Sequence, residues 1–234
     1  MKILILIPAY NEEKNIISVV KNIVNNYPQY DYIVINDGST DSTEEICRKN
    51  RFNYITLPSN LGIGGGIQTG YLYAKENNYD IAVQIDGDGQ HNPSYIKDAI
   101  IKLEQGNDMV IGSRFITKEG FQSSGLRRIG ITFLSTIIRV LCHIKIYDVT
   151  SGFRICNREM IEFFAQNYAQ DYPEPEAIVN AILHNFRVSE IPVVMNERLE
   201  GKSSISSLKS IYYMIKVSIS LVLIKITLDK KGDK

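Results

Sequence analysis

The chain has 234 residues, and its 26 Lys and Arg are balanced by 26 Asp and Glu. A net charge of zero argues against a general nucleic-acid binder, which needs a basic face to neutralise phosphates. Cys47, Cys142 and Cys156 are odd in number and lack metal-like spacing, so they read as unpaired thiols and not as a disulfide framework.

The length suits one α/β domain, alone or with an appendage. Residues 3–7, Ile-Leu-Ile-Leu-Ile, are a continuous apolar run, expected of a parallel strand buried on both faces and not of a signal peptide. Pro8-Ala9-Tyr10-Asn11-Glu12 ends it. Asn11 is expected to cap a helix to about Asn26, with Ile16, Val19, Val20, Ile23 and Val24 along one side. Tyr32–Ile35 predicts a second strand, stopped by Asn36-Asp37-Gly38-Ser39-Thr40-Asp41. The next helix carries Glu44 and Glu45 in its first turn, near the positive end of its dipole. Tyr54–Leu57 predicts a third strand, and Gly62–Gly66 opens a helix to about Asn77. Those glycines come too late in the chain for a dinucleotide fingerprint; they let the helix start pack closely on a ligand or on the sheet.

Ile81–Ile85 is a further buried strand, and it ends in Asp86-Gly87-Asp88-Gly89-Gln90-His91. Repetition of strand, turn and helix implies a parallel sheet with right-handed crossovers, whose ligands lie beyond the carboxyl ends of the strands. The turns after the first, second and fourth strands therefore converge on one cleft. Asp86 and Asp88, one residue apart on a tight turn, direct oxygens into a small volume. Such hard ligands suit Mg²⁺ or Mn²⁺ shared with substrate phosphates, whereas the plain alternative is an ordinary Asp-Gly turn. His91 reads as a packed neighbour outside the metal set.

Pro93 and Ser94 begin a helix to about Gln105, and Asp108–Gly112 is a strand leading to Ser113-Arg114. Residues 126–143 have helical period but are apolar round most of the circumference, so this helix is either deeply packed or meets lipid. Val149–Arg154 is expected as a β-type segment, Pro175 to about Asn185 as a short helix and Val188–Val194 as a strand. In the tail, Lys209, Lys216 and Lys225 interrupt an apolar stretch from Ser206 to Leu228. It reads as an interfacial amphipathic helix or helix pair, because lysine snorkels, and not as a spanning helix, which needs ~20 apolar residues. The expected division is a catalytic domain over 1–204 and a membrane-interface appendage over 205–234.

Pro8-Ala9-Tyr10-Asn11-Glu12, Asn36–Asp41, Asn60-Leu61-Gly62 and Gln84–His91 occur in order with Gly112-Ser113-Arg114, Ser151-Gly152-Phe153-Arg154 and Arg198–Ser203. In that order and spacing the chain resembles the family 2 glycosyltransferases of GT-A fold, a mostly parallel sheet flanked by helices. More narrowly, residues 1 to 207 are similar to the dolichol- and polyprenyl-phosphate sugar synthases. The resemblance implies that Pro8, Tyr10, Glu12, Asp37 and Gly64 line the sugar-nucleotide site. It implies that Asp86, Asp88 and Gln90 hold the metal. Arg114, Arg128, Arg154, Arg198 and Ser203 would face phosphates of donor or lipid acceptor, and Glu176 matches a family glutamate near the sugar. Arg127 reads either as a further lipid-phosphate ligand or as a side chain that binds anionic headgroups. Asn36 stands where an aspartate is frequent, and Ile63 where a lysine is common.

The implied reaction is inverting transfer of a sugar from a nucleoside diphosphate to a polyprenyl (undecaprenyl or dolichyl) phosphate on the cytoplasmic membrane face, for cell-envelope glycans. A phosphate acceptor, with a second pKa of about 6, arrives ionised and needs arginine forks, not a general base. The expected partners are the membrane surface and either a small membrane protein or a second copy. The alternatives are a saccharide acceptor with the same donor site, and a non-catalytic nucleotide-sugar-binding subunit.

Overall fold

The computed structural model of the chain describes residues 1–122, 125–196 and 207–232. Its first strand, β1 (Ile3–Ala9), is buried over its whole length. Leu4 and Leu6 belong to one apolar core and Ile5 and Ile7 to another across the sheet, the alternation that a pleated strand imposes. Six strands follow: β2 (Asp31–Asn36), β3 (Tyr54–Thr56), β4 (Ile81–Gln84), β5 (Met109–Ser113), β6 (Arg154–Cys156) and β7 (Val188–Pro192). They form a single sheet in the order β3-β2-β1-β4-β6-β5-β7. Only β6 runs antiparallel, to both β4 and β5.

Helices α1 (Ile16–Asn26), α2 (Thr43–Lys49) and α4 (Ile96–Glu104) bury residues in the core with Ile5 and Ile7. Helices α3 (Gly62–Glu76), α5 (Gly125–Cys142), α6 (Arg158–Asn167), α7 (Pro173–Leu183) and α8 (Ser207–Gly232) bury residues in the core with Leu4 and Leu6. The three layers, helix on sheet on helix, are those of the GT-A fold. All three cysteines are buried and unpaired.

Several expected elements shift. Helix α1 begins at Ile16, because Asn11 adopts a left-handed backbone with φ 56° and its side chain serves a neighbouring loop. Residues 149–153 form no strand; the ladder with β4 and β5 starts at Arg154. Helix α6 falls in a stretch where no element is expected from the sequence. Asn157 caps it by accepting from the Met160 N–H, and Met160, Ile161, Phe164 and Ala165 bury one face.

The described tail is a single helix packed against α5 and α7, with Val217 and Leu221 fully buried in the main core. Its outer side still exposes Ile215, Ile219, Leu223 and Ile226, as α5 exposes Ile129, Phe133 and Val140. Among the described residues no helix is long and apolar enough to cross a membrane.

Candidate active site

The carboxyl ends of β1, β2 and β4 open into a cleft of about 430 Å³. Pro8, Tyr10 and Glu12 come to it from the end of β1, Asp37 from the end of β2, and Asp86, Gly87 and Asp88 from the end of β4. Asn60, Gly62, Ile63 and Gly66 close one side with the start of α3, and Glu174 of α7 closes another. Gly64 does not line the cleft. It faces the loop before α7, where a Cβ would come within 2.3 Å of the Ala169 carbonyl oxygen, so its smallness serves helix–loop packing.

The acidic side chains are held by their own turns or by a neighbouring loop. Asp37 is 4% exposed, and its Oδ1 accepts from the Leu61 N–H at 2.7 Å. The Glu12 carboxylate accepts from the Asn15 side-chain amide at 2.7 Å. The Asp86 N–H donates to His91 Nδ1 at 3.0 Å, and buried His91 meets the Phe153 ring edge-on. His91 thus braces the turn, as expected, with Nε2 left 3.8 Å from Asp86 Oδ2. Gly152 presses on the same carboxylate, since a Cβ there would lie 2.6 Å from Asp86 Oδ2. Asp88 Oδ1 accepts from the Gln90 N–H at 3.0 Å. The Gln90 side chain turns away to donate to the Asn196 carbonyl at 3.3 Å, which sets it apart from the expected metal set.

Glu12, Asp37, Asp86, Asp88 and Glu174 all line this cleft, and no Lys or Arg is among its described lining residues. A diphosphate would be repelled by such a surface unless a divalent cation entered with it. The donors present fit that role. Asp86 keeps about a third of its side chain exposed, and the described residues hold no cluster of three or more protein ligands. Two carboxylates, with phosphate oxygens and water completing the shell, are what Mg²⁺ or Mn²⁺ accepts.

The arginines divide unevenly. Arg114 is 6% exposed and is taken up by fully buried Asp148, with Nε and Nη2 each 2.7 Å from a carboxylate oxygen. Arg154 is fully buried on β6; its Nε donates to the Ser151 carbonyl at 3.0 Å and its Nη2 to that of Glu174 at 2.7 Å. Both guanidiniums brace loops from buried positions, and Arg154 Nη1 has no hydrogen-bond partner among the described residues. Arg127 is half-buried on α5, and its pKa is lowered by burial first and by neighbouring Arg114 second. Tyr213, Asp148 and Glu174 act on it in the opposite sense, in that order. Arg128 is exposed with its guanidinium 5.5 Å from the centre of the Phe115 ring. Arg198 and Ser203 lie outside the described residues.

A similar exchange occurs in α7. Residues two apart on a helix point about 200° apart. Glu174 therefore lines the cleft while Glu176 turns to α8 and accepts from the Ser220 hydroxyl. Burial raises the pKa of both, opposed at Glu174 by Arg154 and at Glu176 by that hydrogen bond. Sequence reasoning missed Glu174, although it stands in the same Pro-Glu-Pro-Glu run. It also missed Asp148 and Glu190, whose carboxylate accepts from the Tyr147 and Asp148 N–H groups at 2.7 and 2.8 Å. The only signal for Asp148 was a lone carboxylate among apolar residues.

A family model described as Glycosyl transferase family 2 matches residues 4–164. The polyprenol monophosphomannose synthase of Mycolicibacterium smegmatis is 27% identical over 225 residues, covering 92% of this chain and 85% of that protein. The UDP-N-acetylglucosamine–dolichyl-phosphate N-acetylglucosaminyltransferase of Methanococcus voltae is 30% identical over 215 residues, covering 82% of this chain and 84% of that protein. Among solved structures, glucosyl-3-phosphoglycerate synthase from Mycobacterium tuberculosis, in complex with Mn²⁺, uridine diphosphate and phosphoglyceric acid, aligns with a TM-score of 0.70. That match has 22% identity and covers 96% of this chain and 78% of the other, a likeness of fold.

Proposed function

The chain belongs to glycosyl transferase family 2, and on that premise we propose that it moves a sugar from a nucleoside diphosphate to a polyprenyl phosphate. The observation that carries this reading is the all-acidic cleft at the ends of β1, β2 and β4, with no Lys or Arg among its described lining residues, which needs a cation to accept a diphosphate. Arg127 and Arg128 on α5, half-buried and exposed, offer cationic groups for a second phosphate. Both relatives named for a polyprenol or dolichyl-phosphate product support the lipid acceptor.

In this reading Asp86 and Asp88 would hold Mg²⁺ or Mn²⁺, which when bound supplies positive charge to the departing nucleoside diphosphate. Tyr10, Glu12 and Asp37 orient base and ribose, with Asp37 preset by Leu61. Glu174 faces the sugar and accepts hydrogen bonds from its hydroxyls. Arg127 presents the acceptor phosphate, which arrives ionised and needs no base. In-line attack by that oxygen inverts the anomeric carbon. Arg154 and Arg114 act at one remove, by fixing the backbone at Glu174 and the loop at Asp148.

The exposed apolar sides of α5 and α8 bring the acceptor's chain within reach by resting on the cytoplasmic membrane face as a peripheral surface. A small membrane protein or a second copy would extend that contact.

The test is incubation of the purified chain with a panel of sugar nucleotides, Mn²⁺ or Mg²⁺, and undecaprenyl or dolichyl phosphate in vesicles. The expected result is one lipid-linked sugar, with turnover abolished by EDTA. Transfer to saccharides without lipid phosphate would replace the acceptor assignment, and full turnover in EDTA would remove the metal.

A further inference from the structure

The wall of the cleft that carries Tyr10, Glu12 and Asp37 is built from two loops, one after β1 and one after β2. Asn11 stands between them. Its backbone is left-handed, φ 56°, a conformation that Asn adopts more readily than most residues with a side chain. From there Oδ1 accepts from the Thr40 N–H at 2.9 Å, the Asp41 N–H at 3.3 Å and the Thr40 hydroxyl at 3.3 Å. The Asn11 N–H donates to Ser39 Oγ at 3.0 Å. The seam continues as the Glu12 N–H donates to Thr43 Oγ1 at 2.9 Å and the Glu13 N–H to Asp41 Oδ2 at 3.1 Å.

Tyr10 and Glu12 line the cleft, whereas Asn11 between them does not. We infer that Asn11 is a positioning residue for the nucleotide: a latch across the two loops that sets the Tyr10 ring and the Glu12 carboxylate before the ligand arrives. Tyr10 is 47% exposed and has little else to order it, so without the latch it would be immobilised only on binding, at the expense of affinity. The inference rests on the donor-site reading above and adds to it a residue that touches no ligand.

The experiment is titration calorimetry of the full chain with UDP and with GDP, each with Mn²⁺, paired with steady-state kinetics on the matching sugar nucleotide. Asn11→Ala removes the acceptor oxygen. Asn11→Gly removes it while keeping the left-handed backbone free of strain, so folding is not at issue. Asn11→Asp offers the same oxygen to the same three donors. The alanine and glycine variants are expected to bind the preferred nucleotide roughly tenfold more weakly, the scale of ordering one or two side chains on binding. Their donor KM should rise with little change in kcat or acceptor KM, and Asn11→Asp should restore most of the affinity. Wild-type affinity in Asn11→Ala and Asn11→Gly, or an Asn11→Asp variant as weak as Asn11→Ala, overturns the latch alone. Failure of the wild-type chain to bind either nucleotide overturns the donor-site reading and the latch with it.

Discussion

The two halves of the sheet use charge in opposite ways. At the ends of β1, β2 and β4, carboxylates face outward into the cleft, each held by its own turn or the next loop. Beyond β4, two arginines face inward: Arg114 is bound by Asp148, and Arg154 by the carbonyls of Ser151 and Glu174. The first half is built to receive a ligand that brings its own cations; the second uses these two cations on its own loops. On α5, Arg127 is half-buried and Arg128 exposed, so these two arginines stay open to a further ligand. An acidic site and an arginine-rich segment in one sequence therefore need not be two halves of one phosphate clamp.

The largest expected effect comes from breaking the inward-facing half. Asp148→Ala leaves the Arg114 guanidinium buried without its partner, and removing one member of such a pair costs roughly 3–5 kcal/mol. Urea unfolding should show a matching fall in stability. The double variant Arg114→Met, Asp148→Leu should recover much of it, because a packed apolar pair has no stranded charge. An Asp148→Ala protein as stable as wild type would mean that Arg114 finds a partner elsewhere and that the two halves differ less than they look.

Breaking the outward-facing half should cost activity and spare the fold. Asp88→Ala is expected to lower transfer about 10²–10³-fold, the scale of losing one preorganised charge-stabilising group. Its stability should fall by clearly less than that of Asp148→Ala, since no buried guanidinium is stranded and each hydrogen bond lost, such as that from Gln90, is worth ~1 kcal/mol. Activity within tenfold of wild type would place the metal elsewhere.

The same contrast explains what the sequence reveals. Asp86 and Asp88 could be assigned because their tight turn is braced by residues two to five positions away, Gln90 and His91. Asp37 was assigned from its strand-end turn alone, since its carboxylate is held by Leu61, 24 positions on. The fold was legible for a similar reason, since the buried runs of β1, β2 and β4 and the face of α1 are local patterns. Arg114 finds Asp148 34 positions away, and Arg154 finds the Glu174 carbonyl 20 positions away. No window along the chain discloses such pairings, so motif position alone does not show that both arginines already have partners inside the protein. Glu174 and Glu176 differ only by helix phase, fixed here by a start at Pro173, two residues earlier than the sequence suggests. In the tail, lysines on an apolar helix look the same whether one side or none is packed, so the burial of Val217 and Leu221 in the core could not be read from the sequence.

Arg127→Gln is the smallest of these effects and the one that sharpens the comparison most. In the free protein burial and Arg114 both disfavour the charged guanidinium, so a phosphate arriving beside it relieves an existing penalty. Losing that contact should raise the acceptor KM roughly 10- to 100-fold, equivalent to the ~1.5–3 kcal/mol of a charged hydrogen bond. Donor KM should not move, because Arg127 is not among the residues lining the nucleotide cleft. Arg127→Lys should fall between, retaining the charge but not the planar fork that grips two oxygens. Arg114→Gln offers the contrasting control: it should lower the urea midpoint through stranded Asp148, an effect that Arg127→Gln, with no ion pair to break, should lack. If Arg127→Gln raised donor and acceptor KM together, Arg127 would belong to the donor phosphates, and the division of labour between the two halves would fail at the side chain on which it most depends.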